Sequence, residues 1–209
     1  MRNAEQIGVH MLDRLMSIDW ESYPDAHESG TAKDVPKFIK MLMSSDAEER
    51  RAGYRGLKDL LYSDVDYSPA APIIAPFLIE LLEINELEDK HYILWLFDGM
   101  FELSEPDSEV PIRTERGRLM LETGIAIAKG LDVYIRLLAH PSHLVRIATG
   151  RILFFWYRFP TSEEQKIKAA YREFRDREEH PLVKRKIENW YLPNPFDTKG
   201  REFPEPDRK

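Results

Sequence analysis

The sequence predicts an all-α fold, an α-α superhelix in which about four helical hairpins follow an N-terminal helix. The first observation behind this prediction is an apolar pattern that recurs at 35–42, 75–82 and 132–138. The second is a different pattern that relates 48–57 to 144–153. Both patterns place their first and last copies 96 residues apart, so two independent alignments indicate the same internal repeat.

The first pattern marks the first helix of each hairpin. Its apolar residues fall at positions i, i+1, i+3 and i+4, which lie on one face of a helix. The matching residues are Phe38, Leu78 and Tyr134, then Ile39, Ile79 and Ile135, then Met41, Leu81 and Leu137, then Leu42, Leu82 and Leu138. The first two copies are 40 residues apart and the third follows 56 residues later, which predicts an insertion before the third hairpin.

The second pattern marks the second helix of a hairpin. Arg50 matches Arg146, and the two helices follow a cap or turn signal at Asp46 and at Ser142. One helical hairpin leaves an apolar face exposed, and the next hairpin covers that face when the two stack. A hairpin period near 40 residues is the length of a HEAT repeat, so we predict a HEAT-like solenoid.

The repeats divide the chain into one solenoid domain, 1–192, and an extended C-terminal tail, 193–209, which contains four prolines. Within the domain, the predicted bounds are 3–17 for the N-terminal helix, 18–33 for a loop, 34–61 and 70–103 for two hairpins, 104–111 for an acidic loop, 114–160 for a long helix with the third hairpin, and 161–191 for the last hairpin. We expect the long helix to bend at Gly130.

The composition argues against catalysis. The chain has no cysteine, which excludes disulfides, thiolate zinc sites and a cysteine nucleophile. Its glycines are isolated and no serine lies in a nucleophile elbow. Glu163 and Glu164 are adjacent, so on a helix they point apart. A turn at Pro141 separates His140 from His143, and we predict no metal site, no cofactor and no enzymatic activity.

Charge and hydropathy bear on the partner and the location. The net charge is −7, which argues against nucleic acid and suits a basic protein partner, although solubility alone would explain it equally well. Glu5, His10 and Asp13 interrupt any apolar core of a signal peptide. The longest apolar runs are far shorter than a membrane span, so we expect a cytoplasmic protein. The sequence leaves the oligomeric state open.

Several short motifs, in their order along the chain, resemble a group of bacterial HEAT-repeat proteins. They are Asp19-Trp20, Ala26-His27, Asp34-Val35-Pro36, Tyr67-Ser68-Pro69-Ala70, Ala75-Pro76-Phe77-Leu78 and Val145-Arg146-Ile147-Ala148. Two positions depart from the group's pattern, because Glu49 replaces the usual valine and no His-Gln-Gly precedes Tyr67. The resemblance implies a binding scaffold, and some members resemble immunity proteins that neutralise a secreted toxin.

An acidic surface is the first candidate binding site. Its predicted members are Glu86, Glu88, Asp89, Glu102, Glu105, Asp107 and Glu109. They fall in the loop of the second hairpin and in the insertion that follows it. Such a surface would dock a basic toxin or nuclease by mimicking the charge of nucleic acid, and a solvated edge without a partner is the alternative.

A basic series on the second helices is the second candidate. Arg55, Arg151 and Arg158 are the members that we expect to face outward on a concave surface, where they would hold phosphates or an acidic partner. Arg50 and Arg146 occupy equivalent places in two repeats. For these two we favour a structural role, in which each bonds an acid or a helix end of the next hairpin.

The loop before the first hairpin is the third candidate. Trp20, Tyr23 and His27 lie in it, and aromatic and histidine side chains on a loop can form a binding hot spot. The alternative is that they cap the end of the first hairpin, since a terminal repeat needs a cover.

The leading functional hypothesis is a non-catalytic scaffold that binds another protein. In its sharpest form it is a bacterial immunity protein of a toxin–antitoxin pair, which covers the active site of a toxin or effector. A nucleic-acid binder that uses the basic concave face is the second hypothesis, and an enzyme of unrecognised type is the third.

Overall fold

The fold is given by a computed structural model, which describes residues 4–63, 67–103, 114–156 and 163–189. The α-helices in these residues are α1 (Ala4–Met16), α2 (Val35–Leu42), α3 (Ala47–Leu61), α4 (Ala71–Leu82), α5 (His91–Leu103), α6 (Glu115–Ala128), α7 (Leu131–Leu137), α8 (His143–Trp156), α9 (Glu164–Arg177) and α10 (Pro181–Asn189). Two 3-10 helices, Trp20–Ser22 and Ala32–Asp34, lie between α1 and α2. The described ranges contain isolated bridges but no β-strand, so the all-α class is confirmed for them.

Capping residues fix where several helices begin. The Asp46 carboxylate accepts hydrogen bonds from the N–H groups of Glu48 and Glu49, at 2.8 and 3.4 Å, at the start of α3. The Thr114 hydroxyl accepts one from the Gly117 N–H at 3.0 Å, at the start of α6. These side chains satisfy N–H groups that have no partner inside the helix. The cap predicted at Asp46 is confirmed.

The first hairpin is packed tightly because α3 carries a glycine where it crosses α2. A Cβ atom added to Gly53 would lie 2.8 Å from the Phe38 carbonyl oxygen and 2.8 Å from the Met41 Cβ. Any larger residue would therefore push the two helices apart.

The second helices of the predicted hairpins follow one another in space. α3 contacts α5, α5 contacts α8, and α8 contacts α10. In the first and third hairpins the shorter first helix lies beside its own second helix, as α2 packs on α3 and α7 packs on α8. This order of contacts agrees with stacked hairpins, while the superhelical path of the whole chain stays a prediction.

The long helix predicted to lead from 114 into the third hairpin is two helices, so the bend expected at Gly130 is a break between them. α6 ends at Ala128 and α7 begins at Leu131, with Gly130 between them. The Tyr134 hydroxyl donates to the Ile127 carbonyl at 3.0 Å and so fixes the angle between the helices. α6 packs against α4 and α5, so the insertion adds a helix of its own to the side of the first helices.

None of the described helices combines the length and the apolar character that crossing a membrane requires. The predicted tail, 193–209, and the predicted acidic loop, 104–111, lie outside the described residues.

Candidate functional site

Arg50 joins the first hairpin to the second. It lies in α3 and is 5% exposed. Its Nη1 donates to the Ser44 carbonyl at 2.9 Å, in the turn before α3. Its Nε donates to the Asp89 carboxylate at 2.9 Å, and its Nη2 lies 2.7 Å from a Glu88 carboxylate oxygen. The guanidinium therefore ties the turn of one hairpin to the turn of the next.

Arg146 makes the same set of contacts between the third hairpin and the fourth. Its Nη1 donates to the carbonyls of His140 and Pro141, at 2.8 and 2.9 Å. Its Nε and Nη2 donate to the two carboxylate oxygens of Glu178, at 2.7 and 2.9 Å. These hydrogen bonds lower the pKa of Glu178, and burial of the carboxylate partly opposes them.

The equivalence of Arg50 and Arg146 therefore extends from sequence to geometry. Each arginine donates to a carbonyl six residues before it, in Ser44 or in His140. Each also binds a carboxylate that precedes the second helix of the following hairpin. The structural role that the sequence favoured for these two residues agrees with these contacts, and neither guanidinium is available to a phosphate.

The predicted acidic surface is partly used inside the molecule. Glu88 and Asp89 bind Arg50, while Glu86 is exposed in the loop between α4 and α5. Glu102 belongs to the last turn of α5. Glu105, Asp107 and Glu109 lie outside the described residues. Two of the carboxylates in this surface therefore share an ion pair with Arg50, and Glu88 stays 67% exposed beside it.

The predicted basic residues are also placed differently. Arg55 is exposed on α3. Arg151 was expected to face outward, but its Nε lies 2.7 Å from a carboxylate oxygen of Asp98 on α5. This ion pair holds α8 against α5 and corrects the expectation for Arg151. Arg158 lies outside the described residues.

The loop before the first hairpin divides into a buried part and an exposed part. Trp20 is 4% exposed, and its Nε1 donates to the Leu15 carbonyl at 2.8 Å. The Tyr23 ring is half-buried, with its centroid 6.1 Å from that of Trp20. His27 is exposed. Trp20 is therefore a packing residue at the end of α1, which agrees with the covering role and not with an accessible hot spot at this position.

Three aromatic side chains form a cluster where α3 meets α5. Tyr54 and Tyr92 are stacked, with ring centroids 5.0 Å apart and an angle of 17° between the planes. Trp95 meets both rings edge-on, at 6.0 Å from Tyr54 and 5.7 Å from Tyr92. All three residues are half-buried, so the cluster packs on the core and still reaches the surface. We call Tyr54, Tyr92 and Trp95 the anchor patch.

Burial favours the uncharged forms of two ionisable side chains in and beside the anchor patch, Tyr54 and His91. Burial raises the pKa of the Tyr54 phenol, and the nearby carboxylate of Asp98 raises it further. His91 packs edge-on against Trp95 at 4.6 Å, and burial lowers the pKa of its imidazole. At neutral pH this histidine therefore adds aromatic surface rather than charge.

Three cations border the anchor patch. Arg51, Arg55 and Lys58 are exposed on α3, and none of them forms an ion pair with another residue that the structure describes. Arg51 is three residues before Tyr54, and Lys58 is four residues after it. This spacing puts Arg51, Tyr54 and Lys58 on one face of α3. We call Arg51, Arg55 and Lys58 the cationic rim.

Sequence reasoning missed the anchor patch, although part of its signal was present. Tyr92 and Trp95 are three residues apart, so they share a face of α5. Tyr54 joins them only because α3 packs against α5. The spacing on α5 could have been read from the sequence, whereas the third ring required the tertiary structure.

A cleft lies between the turn before α8 and the turn before α10. This open cleft of about 420 Å³ is lined by Leu138, Ala139, His140, Pro141, Arg146, Arg177, Glu178, Glu179 and His180. Burial lowers the pKa of His140, whose Nδ1 accepts a hydrogen bond from the Ser142 N–H at 3.1 Å. Across the described part of the chain, no three metal-binding side chains come together. Since Arg146 and Glu178 already bind each other, the cleft holds a structural ion pair.

No family model matches this chain, and neither a curated protein nor a solved structure matches it significantly. The resemblance to the bacterial HEAT-repeat group therefore depends on the motifs themselves and stays a prediction.

Proposed function

We propose that this chain is a non-catalytic, HEAT-like scaffold that binds another protein through the anchor patch and the cationic rim. The observation that carries the proposal is the composition of this surface. Tryptophan, tyrosine and arginine are the residues that most often dominate the energy of protein interfaces. In this chain, residues of these three types lie next to one another on α3 and α5, and each is half-buried or exposed.

The repeat architecture is supported by two features of the described residues. The helices α3, α5, α8 and α10 contact one another in that order. Arg50 and Arg146 join successive hairpins through equivalent hydrogen bonds. Stacked hairpins of this kind present their second helices along one extended surface, which suits the binding of a macromolecule.

In its most specific form, the proposal is an immunity protein that binds a bacterial toxin or effector and covers its active site. The resemblance to bacterial HEAT-repeat proteins supports this form. Occlusion needs a large complementary surface and no catalytic groups of its own. The ionisable side chains Arg50, Arg146 and Glu178 serve the packing of the hairpins, which agrees with that requirement.

Affinity capture from the native host tests the proposal. The tagged full-length chain would be compared with Trp95→Ala and with Ile125→Ala, which changes a side chain 53% exposed on α6. We expect one protein to be retained by the original chain and by Ile125→Ala, and to be lost with Trp95→Ala. Equal retention by all three chains, or no retained protein, would contradict the proposal. Circular dichroism and thermal unfolding would establish that each variant is folded.

Nucleic-acid binding is the second candidate, because the cationic rim lies beside aromatic side chains. A protein that neutralises phosphates loses affinity steeply as salt rises. Titration of duplex DNA at two salt concentrations would reveal such binding, and Arg55→Ala should then weaken it. The net charge of −7 makes this the weaker candidate.

A further inference from the structure

We infer that the segment recognised by the anchor patch and the cationic rim is an acidic stretch of protein that carries an apolar side chain between carboxylates. This inference depends on the proposed function and adds the chemistry of the partner. It also reverses the sign of the partner's charge relative to the basic partner that the sequence suggested.

The charges on α3 beside the patch favour an acidic partner. Asp98 is paired with Arg151, and Arg50 is shared by Asp89 and Glu88. Arg51 and Lys58 have no such partner among the described residues. The exposed carboxylate of Asp59 offsets only part of their charge. Between positions 51 and 59 of α3, three cations therefore outnumber one carboxylate, even though the whole chain is negative.

The spacing of the cations suits two carboxylates of one peptide. Arg51 and Lys58 are seven residues apart on α3, which corresponds to about 10.5 Å along a helix. In a polyproline-II segment, which repeats every three residues, two carboxylates three residues apart lie on the same side and are separated by about 9 Å. Such a peptide could therefore engage both cations at once, and the residues between its carboxylates would lie over Tyr54.

The packing of the aromatic rings favours a peptide over a nucleic acid. Tyr54 and Tyr92 are stacked on each other, so each ring already has one face covered. Trp95 stands edge-on to both of them. The bases of a single strand bind proteins by stacking on open aromatic faces. A cluster whose rings cover one another is better suited to the packing of a branched or aromatic side chain from a peptide.

Selection from a random peptide library displayed on phage tests the inference directly. The immobilised full-length chain is the target, and the enriched peptides are sequenced. We expect enrichment of peptides in which two acidic residues flank a leucine or an aromatic residue. Enrichment of basic peptides, or of none, would overturn the inference. A fluorescent single-stranded DNA is titrated in parallel, and DNA binding without peptide binding would also overturn it.

Substitutions that reverse the charge of single residues test the role of the cations and include a matched control. The enriched peptide would be titrated against Arg51→Glu, Lys58→Glu and Lys40→Glu, the last of which changes an exposed lysine on α2. We expect affinity to fall about tenfold for each of the first two variants and to stay unchanged for the third. Equal affinity in all variants would overturn the inference.

The captured partner separates failure of the inference from failure of the proposed function. If Trp95→Ala loses the captured partner while Lys58→Glu retains more of it than the original chain does, the patch binds a basic protein, and only the inference fails. If Trp95→Ala keeps the partner, the proposed function fails as well.

Discussion

The Arg146 guanidinium donates from Nε and Nη2 to the two carboxylate oxygens of Glu178, at 2.7 and 2.9 Å. The Glu178 side chain is only 3% exposed. A bidentate pair of this kind is among the stronger polar contacts in proteins. It joins α8 to the turn before α10 and repeats, in the last two hairpins, what Arg50 does in the first two.

The pair predicts how stability depends on pH. Its hydrogen bonds lower the pKa of Glu178 below that of the unfolded chain. The pair therefore stabilises the fold fully above the unfolded pKa, and this contribution is lost as pH falls through the folded pKa. Glu178→Gln should lower the free energy of unfolding at pH 7 by about 2 kcal/mol and should flatten its decline in the acidic range, from the unfolded pKa of the carboxyl group down through its folded pKa. Urea unfolding across that range measures both effects. Glu179→Gln, which changes an exposed neighbour, should leave the profile as it is.

The Arg50 contacts predict that a lysine cannot replace this arginine. The guanidinium reaches Ser44, Glu88 and Asp89 from three different nitrogen atoms, whereas a lysine offers a single ammonium group. Arg50→Lys should lower the free energy of unfolding by about 2 kcal/mol. The adjacent Arg51→Lys changes an exposed residue and should have almost no effect. If chemical denaturation gave the same value for both variants, the joining role of Arg50 would be refuted.

Two helical glycines predict opposite effects of the same substitution. A Cβ on Gly124 would meet no atom within 4 Å, so Gly124→Ala should raise the free energy of unfolding by about 0.5–1 kcal/mol through helix propensity. A Cβ on Gly53 would lie 2.8 Å from the Phe38 carbonyl oxygen, and Gly53→Ala should lower stability by about 1–3 kcal/mol. Thermal unfolding of both variants measures the two changes in stability. Stabilisation by Gly53→Ala would argue against the close crossing of α2 and α3.

Burial of Trp20 predicts that it contributes to stability and not to binding. Trp20→Phe removes the hydrogen bond to the Leu15 carbonyl and leaves unfilled volume, so the free energy of unfolding should fall by about 1–3 kcal/mol. Retention of the captured partner should be unchanged at a temperature where the variant is folded. Loss of the partner without loss of stability would restore the loop as a binding site.

The helical framework could be predicted because it depends on local and periodic features. Apolar spacing identifies α2, α4 and α7, and Asp46 marks the start of α3. The match of Arg50 to Arg146 was visible in the sequence, and equivalent positions in repeats tend to make equivalent contacts. The residues that complete these contacts, such as Glu178, were not identified, because they lie about 30 residues away at distances set by the stacking.

The candidate site was harder to predict, because its contacts also join residues that are distant in the sequence. Arg151 looked free because nothing in its own helix pairs with it, yet Asp98 reaches it from α5. For Trp20 the sequence left a binding hot spot and a covering role open, and its indole packs back on the end of α1. Tyr54 becomes part of the anchor patch only when α3 and α5 meet. In each case the deciding contact is between elements distant in sequence.

Site-specific photo-crosslinking in the native host tests the central claim most directly. A photoreactive aromatic amino acid would be placed at position 55, in the cationic rim on α3, and separately at position 125, exposed on α6. We expect illumination to join one protein to the chain labelled at 55 and none to the chain labelled at 125. Crosslinks of equal yield from both positions, or from 125 alone, would contradict the claim that the partner binds at the anchor patch.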